Sequence, residues 1–241
     1  MKRGGWIALL ALLAFALVII ARLPAAWVLP SKGGFTCLSV EGTLWSGGCA
    51  SLSVAREPVG DLSWELHPLA LLTGKLAAHL TLVRQSANAT ADVELGLGGH
   101  VTARNVRADL PLDAKLLPGL PPNLRGQARV DLALARVQGN TLKELKGTLE
   151  AHDLQDVAGN RTVLGNYAVT FPGGEPPVGQ FKDLGGPLAV EGTIRLSPQG
   201  YEVQGLVAPR QGAAPELLDN LRFLGSPDAS GRRAFSLSGT Y

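Results

Sequence analysis

Val40-Glu41-Gly42-Thr43-Leu44-Trp45-Ser46-Gly47-Gly48 carries a pattern, apolar-x-Gly-x-apolar, that returns along the chain. It recurs at Leu145/Gly147/Leu149, Val190/Gly192/Ile194, Val203/Gly205/Val207 and Leu237/Gly239/Tyr241, with a looser copy at Leu124/Gly126/Ala128. Side chains alternate faces in a strand, so residues two apart share a face and these glycines lie among the apolar residues. Glycine weakens a strand interior and marks a bulge, a bend or a close backbone approach. The first copy, read as a strand, puts Val40, Gly42 and Leu44 on the apolar side and Thr43 and Trp45 on the other.

Period-two alternation continues outward from that stretch. Leu76/Ala78/Leu80/Leu82, Ala91/Val93/Leu95/Leu97 and Ala128/Val130/Leu132/Leu134 each line one face, opposite residues such as His79, Glu94 and Asp131. Such segments are half-buried antiparallel strands. Gly98-Gly99, Gly139-Asn140, Gly159-Asn160, Gly173-Gly174 and Gly185-Gly186-Pro187 punctuate them as turns. Helix signals are short: Pro68 to Gly74, Asp113 to Leu117, and Pro215 to Gly225, where Leu217, Leu218, Leu221 and Leu224 form one stripe. The fold class expected is mainly β, a curved, partly open antiparallel sheet with a few short helices behind one N-terminal transmembrane helix. Glycine kinks on an apolar face favour curvature toward that face. The alternative is a sandwich whose glycines make room for larger residues opposite.

The N-terminal segment supplies the anchor. After Lys2 and Arg3, no charge occurs from Trp6 through Ala21, and Arg22 and Trp27 follow. With its apolar flanks this approaches the roughly 20 residues that span a bilayer, with Arg22 snorkelling and Trp27 in the interfacial belt. A cleaved signal peptide is the competing reading, and Pro24 spoils its cleavage site. Residues 1–27 are thus expected to form a cytoplasmic tip and transmembrane anchor, and residues 28–241 an exported β domain, because the basic N-terminus stays inside. Setting aside Lys2, Arg3 and Arg22 leaves 19 of the 22 basic residues against 20 acidic ones. A domain so nearly neutral lacks the footprint of a nucleic-acid binder.

In an exported domain Cys37 and Cys49 can pair, and so short a closed loop contributes about 3 kcal/mol; two buried free thiols are the alternative. No His lies near either cysteine, so no metal site is expected. The four histidines are scattered, no nucleophile elbow occurs, and Gly96 to Gly99 leads into a strand, so neither a catalytic group nor a cofactor is expected.

The order of these motifs resembles the type II secretion system protein N family, also named general secretion pathway protein N. The most specific piece is Gly42-Thr43-Leu44-Trp45-Ser46-Gly47, followed by Trp64-Glu65-Leu66-His67-Pro68-Leu69-Ala70-Leu71-Leu72. Leu23-Pro24-Ala25-Ala26 precedes it, and Leu221 to Asp228 leads into Gly231-Arg232-Arg233 and Phe235 to Gly239. The strand repeats are shared more broadly with AsmA-like periplasmic β proteins. The resemblance implies a single-pass inner-membrane protein with a periplasmic β domain. It would be a non-enzymatic accessory of the type II secretion pathway, which exports folded proteins across the Gram-negative outer membrane. Other subunits of the pathway would be its partners, reached by adding strands at a sheet edge. A lipid- or hydrophobe-binding module is the alternative. Gly42, Thr43, Leu44, Trp45, Ser46, Gly47 and Trp64 enter as structural or interaction residues, and Cys37/Cys49 lies outside the family pattern. Trp45 is expected either beneath a loop held by that disulfide or displayed to a partner.

Overall fold

Strand-forming alternation dominates the chain, and the computed structural model, which describes residues 12, 14–15, 18–28, 35–54, 57–112, 121–158 and 161–240, is built mostly of strands. Two compact units divide after Arg84. The first contains helix α1 (Ala25–Val28), β1 (Phe35–Thr36), β2 (Ser39–Gly42), β3 (Ser46–Val54), β4 (Glu57–His67), a 3-10 turn (Pro68–Thr73) and β5 (Lys75–Arg84). β1 and β2 both pair with β3, β3 pairs with β4 and β4 with β5, all antiparallel. Pro68 opens the 3-10 turn, and the Gly74 amide closes it on the Ala70 and Leu71 carbonyls. Residues 1–11 lie outside the described set, as do the expected helix at 113–117 and the expected turn at 159–160. Among the described residues no helix is long and apolar enough to cross a membrane.

The second unit runs β6 (Ala87–Gly96), β7 (His100–Leu112), β8 (Leu124–Gln138), β9 (Thr141–Asp156), β10 (Thr162–Pro172), β11 (Val178–Gly185), β12 (Leu188–Ser197) and β13 (Gly200–Pro209). Helix α2 (Pro215–Leu221) then passes into a 3-10 turn (Arg222–Leu224) before β14 (Arg233–Thr240). Each strand pairs antiparallel with the next in chain order. These strands make one continuous ladder, where the sandwich alternative needs two packed sheets.

The repeated glycines sit opposite aromatic residues of the neighbouring strand. Gly147 pairs with Phe171, Gly192 with Phe181, Gly205 with Phe235 and Gly239 with Tyr201. In the first unit Gly42 pairs with Gly47, which pairs with Trp64. The looser copy, Gly126, faces Leu112. An aromatic ring laid over a glycine buries its face against the sheet's own backbone, a device that also pins register. Phe171 lies between two such positions, since a Cβ on Gly179 would come within 2.8 Å of its ring. It is one of the most buried side chains of the unit, 3% exposed, in a cluster with Leu132 and Leu145.

Around that ring the ladder bends. Strands β9 and β12, three positions apart, would be roughly 14 Å apart in a flat sheet, yet Cα atoms of the two approach within 8 Å. Ile194 and Leu196 of β12 pack against the Leu132, Leu145 and Phe171 cluster as a result. At the same place Gly147 has φ +140°, and a Cβ there would overlap the Asp131 carbonyl oxygen and the Leu132 Cα. Only glycine combines that dihedral with so close an approach.

Four sequence expectations shift. The stretch from Val40 to Gly48 is not one strand but a hairpin, because Gly42, at φ +85°, turns the chain and Thr43 and Ser46 close on each other. Val40 and Leu44 therefore do not share a strand face. Leu97 belongs to the turn after β6 and is 82% exposed. In β8 the alternation holds through Leu132, and a bulge between Leu132 and Leu134 then moves Ala135 and Val137 to the sheltered side. On α2 Leu217 and Leu221 are buried whereas Leu218 is more than a third exposed, as is Leu224, which falls in the 3-10 turn that follows, so the apolar stripe is narrower than its spacing suggests.

Gly205→Ala drives a Cβ into the Glu191 carbonyl oxygen and to 2.9 Å from the Phe235 ring. We expect it to cost ~1–3 kcal/mol in chemical denaturation. Gly48→Ala, whose nearest neighbour is the Leu62 oxygen at 3.6 Å, serves as the control and should leave stability near the wild-type value.

Candidate functional site

The first hairpin is where the sequence motifs converge. Gly42 ends β2, the Thr43 amide donates to the Ser46 carbonyl at 2.9 Å, and the Ser46 amide donates back to Thr43 Oγ1 at 3.2 Å. This tight closure thrusts Leu44 and Trp45 out as the hairpin tip. β4 holds the tip from one side: Leu66 N–H donates to the Trp45 carbonyl at 2.6 Å, and Trp64 Nε1–H donates to the Leu44 carbonyl at 3.1 Å. The Trp64 ring also covers Gly47, whose added Cβ would stand 2.6 Å from it.

The N-terminal segment holds the tip from the other side. Residues 18–21 are helical, and the Arg22 amide donates to the Val18 carbonyl at 3.0 Å. The last carbonyls of a helix have no partner within it. One of them, that of Ile20, accepts the Trp45 indole N–H at 2.8 Å. Leu44 N–H donates to the Leu23 carbonyl at 2.8 Å, and Pro24 bridges to Thr43. α1 follows directly, with Ala25 1% exposed. Gly42, Thr43, Leu44, Trp45, Ser46, Gly47 and Trp64 thus form one joint between the N-terminal helical segment and the β ladder of the first unit. Leu12, Phe15, Val18, Ile19 and Ile20 of that segment are exposed.

Trp45 is half-buried, and its polar end is spent on the chain's own helix terminus. The disulfide does not cover it. Cys37 is bonded to Cys49, with Cα atoms 5.5 Å apart, and Cys49 lies beyond Gly47 and Gly48 on β3, opposite Val40. The chain reverses at Thr43 to Ser46, so the bond ties Cys37 to the body of the hairpin while Trp45 sits at its tip.

Other polar anchors escaped the sequence reading. Asp61 accepts the amide of Ser51 at 2.8 Å, where β3 bulges and Ser51 takes φ +50°. With Glu41, Cys49 and Leu62 it lines a shallow groove of about 280 Å³. In the second unit Asp183 receives the Arg210 guanidinium at 2.7 Å and the amides of Val190 and Gly185. Burial pushes its carboxyl up, but Arg210 and the two amides together outweigh that and hold it below the ordinary value. Nothing in the spacing of Asp183 and Arg210 signals the pair. A turn signal does precede β14: Asp228 accepts from Ser230 Oγ, the Ser230 amide and the Arg232 amide, and Arg232 also reaches Glu191. The Ser230 hydroxyl, then the Arg232 amide, hold the Asp228 carboxyl down to about 2. Among the described residues no group of three or more His, Cys, Asp or Glu could hold a metal ion.

Trp45→Phe keeps an aromatic side chain, though a smaller one, and removes the indole donor. We expect a loss of ~0.5–1.5 kcal/mol and faster amide exchange at Arg22 and Leu44; unchanged exchange would contradict the joint. Asp228 is ionised in the native loop with a lowered pKa, so its contribution is present above the ordinary carboxylate range and is lost as pH falls through about 2. The Ser230 and Arg232 amide signals should titrate together in that window, and Asp228→Asn should remove the transition.

Comparison with known proteins gives a consistent answer. The family model for type II secretion system protein N matches residues 34–236. The type II secretion system protein N of Vibrio cholerae serotype O1 is 28% identical, with 99% of each chain covered. That of Aeromonas hydrophila is 29% identical over 96% of each chain. No solved structure matches. With its hairpin, its Trp64 stretch and its final strand all inside or reaching into the matched span, the chain belongs to the type II secretion system protein N family.

Proposed function

We propose that this chain is a single-pass inner-membrane protein, N-terminus in the cytoplasm and residues 28–241 in the periplasm, that acts without catalysis as an accessory of type II secretion. The family match over residues 34–236, with relatives matched over nearly the whole chain, carries the secretion part of this reading. The joint at Trp45 supports it: exposed apolar residues suited to lipid end at a helix terminus tied to the first hairpin, so the ladder of the first unit is held close to the membrane surface. Paired Cys37 and Cys49 suit an oxidising compartment. Its partners are other subunits of the secretion machine, met by strand addition at a sheet edge.

A lipid-holding role is the second reading, favoured by one observation. α2 packs Leu221 on Val190 and Val207, with Phe181 and Phe235 beside them. Among the described residues no helix packs on the cluster of Leu132, Leu145 and Phe171, and Val130, Leu149 and Val169 around it remain half-buried.

Deleting the protein should lower secretion of folded substrates into the medium. The full chain should restore it, and a chain lacking residues 1–27 should not. Untouched secretion, with no subunit cross-linked to the protein, would overturn the first reading; native mass spectrometry of the detergent-solubilised chain without bound lipid would remove the second.

A further inference from the structure

β14 is the last strand of its ladder, and among the described residues nothing pairs with its outer edge. Proteins usually blunt such an edge with a charge, a proline, a bulge or a short strand. β14 has none of these between Ala234 and Thr240, and its eight pairs to β13 run without a register shift. The one charged residue, Arg233, stands at its start and donates to the Gly225 carbonyl. Leu237, 57% exposed, is the open end of an apolar row that passes through Ile194 and Val203.

The composition of the strand selects what it takes. Phe235, Leu237 and Gly239 share the apolar face, and Ala234, Ser236, Ser238 and Thr240 share the other. A second antiparallel β14 keeps like faces together only if odd-numbered residues meet odd-numbered ones. In the register centred on Leu237, Phe235 of one copy lies opposite Gly239 of the other, twice, and Ser236 lies opposite Ser238. That repeats across a twofold axis the glycine-opposite-aromatic pairing found at Gly147, Gly192 and Gly205. The row Phe181, Gly192, Gly205, Phe235 then continues into Gly239 and Tyr201 of the second copy. No like charges meet, and the interface is isologous.

We propose that β14 is a self-complementary edge through which two copies of this chain join their ladders, centred on Leu237. This rests on the reading of the sheet edge as the assembly surface and goes beyond it by naming the occupant. Directly opposed residues in antiparallel strands have Cα atoms about 4.5 to 5.5 Å apart, within disulfide reach.

The test uses the full chain in native membranes under mild oxidation. Leu237→Cys should form a covalent homodimer, whereas Ser230→Cys, in the exposed loop before the strand, should not. Leu237→Lys should halve the mass of the solubilised particle in light scattering while leaving its far-UV circular dichroism strand signal unchanged, and the melting temperature should lose its dependence on protein concentration. Cross-linking of the Leu237→Cys variant to a different polypeptide would overturn self-pairing but keep the edge as an assembly surface. A monomeric chain, with no cross-link of any kind formed by the Leu237→Cys variant, would overturn both.

Discussion

Glycine laid opposite an aromatic ring on the next strand is the contact on which the rest of this molecule depends. A single ladder has no second sheet to bury its apolar face, and among the described residues few side chains are fully enclosed. An aromatic over glycine packs against backbone instead, so a large apolar area leaves water without a covering sheet. The same pairing fixes register, because sliding a strand by one residue would drive a ring into a Cβ or onto the wrong face. Where Phe171 stands between Gly147 and Gly179, the small residues on either side also let the ladder bend and bring β12 back toward β9.

The ends of the chain take their character from this construction. In the first unit the chain enters the ladder through a hairpin whose tip is joined to a helix terminus by the Trp45 indole. Trp64 both covers Gly47 and holds the Leu44 carbonyl, so one residue serves the packing and the joint together. In the second unit α2 shelters Val190 and Val207, and the Asp228 loop delivers the chain into β14. A ladder in which every strand of the second unit pairs with its sequence neighbours is rich in local contacts and suited to stepwise folding.

Much of this was legible in the residues. The recurrence of Gly42, Gly147, Gly192, Gly205 and Gly239 announced a β ladder with special backbone positions, and alternation in β8 gave its sheltered face correctly as far as Leu132. Alternation cannot foresee the bulge at Ala133, because the extra residue is defined by the pairing of Leu132 with Gly147 and Leu134 with Lys146 across β8 and β9 rather than by local pattern. The aromatic partners were invisible for a related reason: which residue faces Gly205 depends on a register defined only after the α2 excursion between β13 and β14. Trp45 stands out in the sequence as a motif residue, but its partner, a main-chain carbonyl 25 positions earlier, has no side-chain signature. The Asp183 and Arg210 pair likewise joins residues whose spacing means nothing until β11, β12 and β13 are in place.

If glycine and aromatic residues are the contact that holds the ladder, each pair must couple energetically across its strands. A double-mutant cycle on Gly239 and Tyr201 tests this most directly, because the three atoms closest to an added Cβ at Gly239 all belong to the Tyr201 side chain, at 2.7 Å. Stability should be measured by chemical denaturation for Gly239→Ala, Tyr201→Ala and the double variant. Alanine at position 239 should be costly beside Tyr201 and nearly neutral without it, a coupling of at least ~0.5 kcal/mol. Additive effects would contradict the coupling.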